Sequence, residues 1–537
     1  MARHRRYPAL ILGIALVASR AQLPSAPSEY RLLAGVGAVH HPISTPSPEA
    51  QKFFDQGLAL LYGFNFPDAV RSFRRAAEFD PKSPMPFWGI AWANGPNYNL
   101  RIPSPAAAAE SRNATRTALL LSRTALKAER AYVEALARCF PDIANGPAAA
   151  IRRDCANAMR ELHRAYPGDS DASALFAASL MNIRPGRLWT PDGKPEADTP
   201  EIVAVLEEVL RRWPEHLGAN HLYIHAVEGS LDPERAMASA HRLETLAPAA
   251  GHLLHMPSHV YLRTGDYWDA VRCNQRAVAA DDAYQNAQSK ETVEGTGYSR
   301  HDLHFLAVAA CMDGEYRVAS DAAARLQVHV HSGASIVMPI VVLLRFGRWD
   351  DVLAWPAPGS EMDGVQYFWR YARGFAYASK GDLDSALHER RAMKLEFANL
   401  PTGSAFGMFS NDWGVLDQIA SAVLDARIAA AGRDVATSIR LWEKAATLQD
   451  RLNFDEIPDW YYPVRESWGA ALLRDRRAAE AESVFKQDLV RNPRNPRSLF
   501  GLCTALEAQG KTQEASSIRR AFEAAWKGDG RPRIEDF

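Results

Sequence analysis

Apolar residues recur along this chain at steps of three and four, and alternating β-branched runs are nearly absent. At 3.6 residues per turn, that spacing gathers apolar side chains on one face of a helix. It predicts an all-α array over residues 47–526, with an arm at 22–46 before it and a tail at 527–537 after it. Glycines, small residues and prolines punctuate the pattern at a fixed interval. "FDQGLALLYGFNFPDAVRSFRRAAEFDP" carries Gly57, Ala69, Ala76 and Pro81, and "LFGLCTALEAQGKTQEASSIRRAFEAAW" repeats the frame with Gly510 and Ala515. Small residues let two helices approach closely, and the proline stands where the second helix has to stop. Residues 184–199, rich in proline and glycine, and the polar residues 285–298 read as irregular insertions between helices.

The period of about 34 residues resembles the tetratricopeptide repeat (TPR), a helix pair closed by a tight turn. The resemblance implies a TPR-type helical-repeat solenoid with a concave groove, lined by one stripe of the first helix in each pair. The combination of "HHPIST", "SPEAQKFFDQGL", "GPNYN", "HMPSH" and "WYYPVRES" resembles a group of bacterial exported TPR proteins. Paired histidines on successive first helices are more weakly similar to tetratricopeptide repeat protein 38. Neither resemblance implies a catalytic assignment.

Composition narrows the function classes. The 537 residues are 47% hydrophobic and 23% charged with a net charge of -1, which gives no electrostatic reason to expect nucleic acid. "MARHRR", the apolar residues 9–18 and small residues at 19 and 21 form the basic, apolar and cleavage regions of an export signal over residues 1–21. That apolar run is shorter than the roughly 20 residues needed to cross a bilayer, so no membrane span is expected after cleavage. The chain is therefore expected in the periplasm or outside the cell. Cys139 and Cys155 flank a short loop and either pair on export or stay as buried thiols.

Nine of the sixteen histidines fall between His216 and His304. Three first helices, counted from Leu217, Gly251 and Arg300, give the cluster a register. The second position holds Gly218, His252 and His301; the fifth His221, His255 and His304; the ninth His225, His259 and Val308; the twelfth Glu228, Leu262 and Cys311. These positions share one stripe, expected to line the groove and to point equivalent histidines of adjacent helices, such as His221, His255 and His304, into a shared volume. The complementary stripe, including Tyr223, Ile224, Leu254, Tyr261, Leu303 and Leu306, is expected to face the core. His221 with His225, and His255 with His259, have the i, i+4 spacing that lets two imidazoles hold one metal; His301 with His304 has i, i+3. Glu228 is a candidate ligand or general base, and His252 and Cys311 are further candidate ligands. Pro257 is expected to start its helix near His255 and leave His252 just outside. His216 and His241 fall off the stripe and are expected at the surface.

Imidazole and carboxylate donors suit Zn, Cu or Fe, and six histidines over-supply a single ion. The expectation is a metal-dependent enzyme working through metal-bound water or oxygen activation on a small molecule in the groove. The competing expectation is a non-catalytic exported scaffold whose groove holds a peptide or protein partner. Arg465, Glu466 and Arg497 suit a carboxylate-bearing ligand, or equally a structural cap on the end of the solenoid. His40 and His41 precede the array, where the arm either folds over the groove or packs against it. No P-loop, dinucleotide fingerprint or nucleophile elbow is present.

Overall fold

A computed structural model describes residues 30–99, 102–141, 147–287, 298–328, 333–359, 364–400 and 411–537. The expected export signal lies outside the described residues, as do residues 288–297 of the polar insertion. The first helix, Pro48–Tyr62, starts where Ser47 caps it by accepting a hydrogen bond from the Ala50 amide. A three-residue turn leads to Phe66–Phe79, capped in the same way by Asn65. So short a turn returns the second helix antiparallel to the first.

The same packing device recurs at both ends of the array. A methyl group at Gly57 or at Gly89 would fall within 3 Å of the Phe73 ring, and one at Gly469 or Gly501 would meet Phe485 in the same way. In both places a phenylalanine of a second helix lies between glycines of the first helices on either side, sixteen residues away in each direction (57, 73, 89; 469, 485, 501). The chain thus builds TPR-type helix pairs with one contact register, and successive pairs share a continuous core. Among the described residues there is no strand. A lone antiparallel bridge, Trp189 to Pro195, shapes the insertion at 184–199.

Turns within pairs take a left-handed residue. Gly265, Gly314, Gly381 and Gly510 fill this place in four of them, where a side chain would be strained. Phe64, at φ 55, does the same without that freedom. Its ring is spent on the histidine cluster below.

Cys139 and Cys155 form a disulfide joining Lys127–Cys139 to Ala148–Ala165, while Cys273, Cys311 and Cys503 are buried thiols. No helix of the described residues is long and apolar enough to cross a membrane. The tail folds back on the array: the Lys527 amide donates to the Asp313 carbonyl at 3.0 Å, and Phe537 is buried with Arg427 donating to its carbonyl.

The stripe expected to line an open groove is buried. Every residue of Leu217–Val227 is inside, on both of its stripes. Its cover comes from far along the chain: Tyr62 and Phe64 of the first turn, and Glu456 from the segment before Val464–Arg474. Repeat periodicity carries no trace of such long-range contacts.

Candidate metal centre

Four stretches of chain supply the histidines. Leu217–Val227 carries His221 and His225, with Glu228 as its C-terminal cap. Gly251–His255 carries His252 and His255, and Pro257–Thr264 carries His259. Tyr298–Asp313 carries His301, Asp302 and His304. The expectation that His252 stands outside its helix is corrected here. The helix begins at Gly251, and Pro257 opens a second helical segment behind it. Met256 between them keeps helical angles (φ -50, ψ -36), so His255 and His259 still stack one turn apart.

The histidines gather as two triads, His221–His225–His252 and His255–His259–His301, each with donor atoms within 4.8 Å of one another. The register differs from the expected one. Fifth-position residues of successive helices were expected to converge, yet His221, His255 and His304 form no such group among the described residues. Each triad instead takes the fifth and ninth positions of one helix and the second position of the next. Successive first helices are offset along their axes, so the opening turn of one meets the middle of its predecessor. His304 belongs to neither triad, and burial pulls its imidazole down to about 4.

Hydrogen bonds determine which ring nitrogen is free. The Nδ1 of His221 faces the Tyr62 carbonyl at 2.5 Å, and that of His255 faces Asn274 Oδ1 at 2.6 Å. Asn274 donates its own amide to the Ala270 carbonyl, which leaves the oxygen toward His255. The Nδ1 atoms of His225 and His259 face Glu228 Oε1 and Oε2 at 2.8 and 2.5 Å. Each of these partners can only accept, so all four imidazoles carry a hydrogen on Nδ1 and present Nε2 to the interior of the cluster. Metal-binding histidines are oriented in this way by carbonyl and carboxylate partners.

The Nε2 atoms then converge. His255 and His259 bring their Nε2 atoms to 2.9 Å, and His221 and His252 bring theirs to 3.2 Å. His225 Nε2 and His252 Nδ1 are buried with no hydrogen-bond partner. Burial holds His221, His252, His255 and His301 well below the ordinary histidine range, and the neighbouring imidazoles add to the effect. Burial would raise the Glu228 carboxyl, but the facing His259 and His225 outweigh it and hold it at about 2.

Two carboxylates that sequence spacing did not single out complete the site. Glu456 Oε2 lies 3.4 Å from His301 Nε2, and its Oε1 lies 3.6 Å from His225 Nδ1. Asp302 is fully buried 3.5 Å from His255 Nδ1. Asp302 directly follows His301, but one step along a helix leaves the stripe, so its place did not single it out, and Glu456 gave no local signal. Aromatic rings wall the cluster: Phe64 at 4.3 Å from the His221 ring, Tyr98 at 4.9 Å from His225, Tyr298 at 4.1 Å from His252 and Phe305 at 4.5 Å from His259. A small cavity of about 40 Å³ reaches His252 between Leu33, Val36, Asn65, Asp281, Tyr284 and Tyr298.

Other candidates lie elsewhere. Cys311 is buried outside both triads, and its carbonyl accepts from Arg345 at 3.2 Å. Glu466 forms a buried ion pair with Arg345, and Arg497 donates to the Arg345 carbonyl at 2.6 Å. Arg465 makes a two-bond pair with Asp450 at 2.7 and 2.6 Å. His241 is exposed as expected, but His216 is not at the surface: its Nε2 lies 3.2 Å from Asp171, which also holds His41 at 2.8 Å. The arm is thereby packed through His41 against the helix Ser170–Met181.

No family model and no curated protein matches the chain. Among solved structures it is similar to human IFIT1 in a dimer with m7Gppp-AAAA, at 12% identity over 90% of this chain and 91% of that one, with a TM-score of 0.32. It is similar to yeast Tom70 at 13% identity over 91% and 93%, TM-score 0.31. The TPR domain of P58(IPK) matches at 9% identity over 87% and 99%, TM-score 0.22. Scores this low carry no argument about function, and the helical-repeat fold rests on the chain's own paired helices.

Proposed function

We propose that this chain is an exported metal-dependent enzyme whose interior histidines hold a divalent transition metal, Zn, Cu or Fe. The observation that carries this reading is the 2.9 Å approach of His255 Nε2 to His259 Nε2. Both Nδ1 atoms are committed to acceptors, so the two Nε2 atoms face each other at a spacing that one bound cation satisfies. Burial and the neighbouring imidazoles hold His255 well below the ordinary histidine range, which leaves its Nε2 ready to bind a cation. Two nitrogens bound to one ion at about 2.0–2.1 Å stand roughly 2.9–3.4 Å apart for bond angles near 90–110°. Both facing pairs, at 2.9 and 3.2 Å, fall in that range.

A metal held there supplies Lewis-acid polarisation, or activation of water or dioxygen. The chain's own groups prepare the site: Glu228, Asn274 and the Tyr62 carbonyl fix the imidazoles, and the aromatic wall excludes bulk water. The small cavity beside His252, lined by Asn65, Tyr284 and Tyr298, has room for a group the size of a few water molecules. The Cys139–Cys155 disulfide suits an oxidising compartment and so supports export. The rival reading, a partner-binding groove on the same stripe, loses support because the stripe is buried.

Metal analysis of the purified full chain tests the reading. Stoichiometric metal that disappears in the His255→Ala, His259→Ala double variant, with helicity retained, is the expected result. Protein that stays metal-free after incubation with Zn, Cu and Fe in turn would overturn it.

A further inference from the structure

Resting on that metal reading, we infer that the centre holds two ions, one for each histidine triad, and that Glu456 is a carboxylate ligand of the second. Each triad already contains a facing Nε2 pair at a spacing suited to one ion, His221 with His252 and His255 with His259. The third members, His225 and His301, complete two triads that share no imidazole but adjoin, since His225 and His259 also group with Glu228 and Glu456. One ion could satisfy only one group. The other would keep three converging imidazoles inside the protein without a cation. Three nitrogens also leave a tetrahedral ion one open position, the arrangement of catalytic rather than structural sites.

The triads are built as a unit. Glu228 takes one Nδ1 hydrogen from each, His225 of the first and His259 of the second. Each Glu228 oxygen already accepts from an imidazole, which suits Glu228 to positioning ligands rather than to serving as one. That role falls to Glu456, whose Oε2 is 3.4 Å from His301 Nε2, a spacing suited to two ligands of one ion. Its Oε1 is buried without a hydrogen-bond partner. Two divalent ions place four positive charges in a dry interior, and a second carboxylate beside Glu228 offsets part of them.

The test is zinc titration of the metal-stripped full chain by equilibrium dialysis, read by elemental analysis. The parent is expected to saturate at two zinc ions per chain. The His221→Ala, His252→Ala variant and the His255→Ala, His259→Ala variant should each keep one. Glu456→Gln should weaken one of the two ions at least tenfold in chelator competition and leave the other unchanged. Circular dichroism monitors folding, and the same histidines changed to glutamine replace any alanine variant that loses helicity. Saturation at one zinc overturns the two-ion inference while the metal reading survives. No zinc at all overturns both, and unchanged affinity in Glu456→Gln removes Glu456 from the ligand set.

Discussion

His225 and His259 stand on different helices yet direct their Nδ1 hydrogens to one carboxylate, Glu228, at 2.8 and 2.5 Å. This arrangement ties neighbouring repeats together and turns both Nε2 atoms away from Glu228. The carboxylate therefore acts on the site by holding rings in place, and its removal should be felt first in metal affinity.

Glu228→Gln replaces one acceptor oxygen by an amide that cannot accept, so one of the two imidazoles loses its orientation. Metal affinity is expected to fall about 10–100-fold with helicity intact. Asn274→Ala should act similarly through His255. Chelator competition against the parent measures both.

The register of the triads gives a sharper contrast. His301→Ala should lower metal content or affinity, whereas His304→Ala, three residues on along the same helix, should leave both unchanged. Elemental analysis of the two variants after identical loading decides the point, and equal losses would refute the register.

Asp313 offers a test by pH. Its carboxyl is fully buried and pushed up to about 8 from 3.8, by burial first and Glu315 second. A carboxyl whose pKa is higher folded than unfolded favours the folded state only while it is protonated. Its contribution is therefore complete below about pH 4, declines as pH rises through about 8, and is lost above that. Asp313→Asn should raise the urea midpoint at pH 9 by the equivalent of about 1–3 kcal/mol, the cost of burying an unpaired polar group. At pH 4 the two proteins should unfold together.

The ion pairs at the far end of the array should differ in their worth. Arg345 and Glu466 are only 2% and 1% exposed, so Glu466→Ala leaves a buried guanidinium without its partner and should cost about 3–5 kcal/mol. Arg465 pairs with the more accessible Asp450, and Arg465→Ala should cost at most about 1 kcal/mol. Urea unfolding followed by helicity measures both.

The Cys139–Cys155 disulfide closes a loop of sixteen residues. Changing both cysteines to serine should lower the stability of this part of the array by about 3 kcal/mol. Protease resistance of the helices Lys127–Cys139 and Ala148–Ala165, with and without reductant, reads the effect locally.

Much of this was legible in the chain. The three- and four-residue apolar steps and the glycine–alanine frame carried the all-α repeat, because helix packing within a pair depends on residues close in sequence. Five of the six triad histidines stood out by i, i+4 or i, i+3 spacing, and the sixth, His252, by its place on the same stripe. Their pairing did not, because a short offset between successive helices exchanges His304 for His301. Glu456 was invisible, since it lies 155 positions beyond His301 and has no local motif. Glycine marks most of the left-handed turns, but nothing local signals that Phe64 occupies one for the sake of a ring against His221.

The sequence by itself determined the helices, their pairing and the stripe on which the histidines stand, all consequences of 3.6-residue periodicity and small residues at fixed spacing. Only the tertiary structure decided that the stripe is buried, that it divides into two triads, and that Glu228 is a holding group while Glu456 faces the nitrogens. Those outcomes depend on which distant segments close over the stripe and on how far each helix slides past the last. A repeat pattern constrains neither.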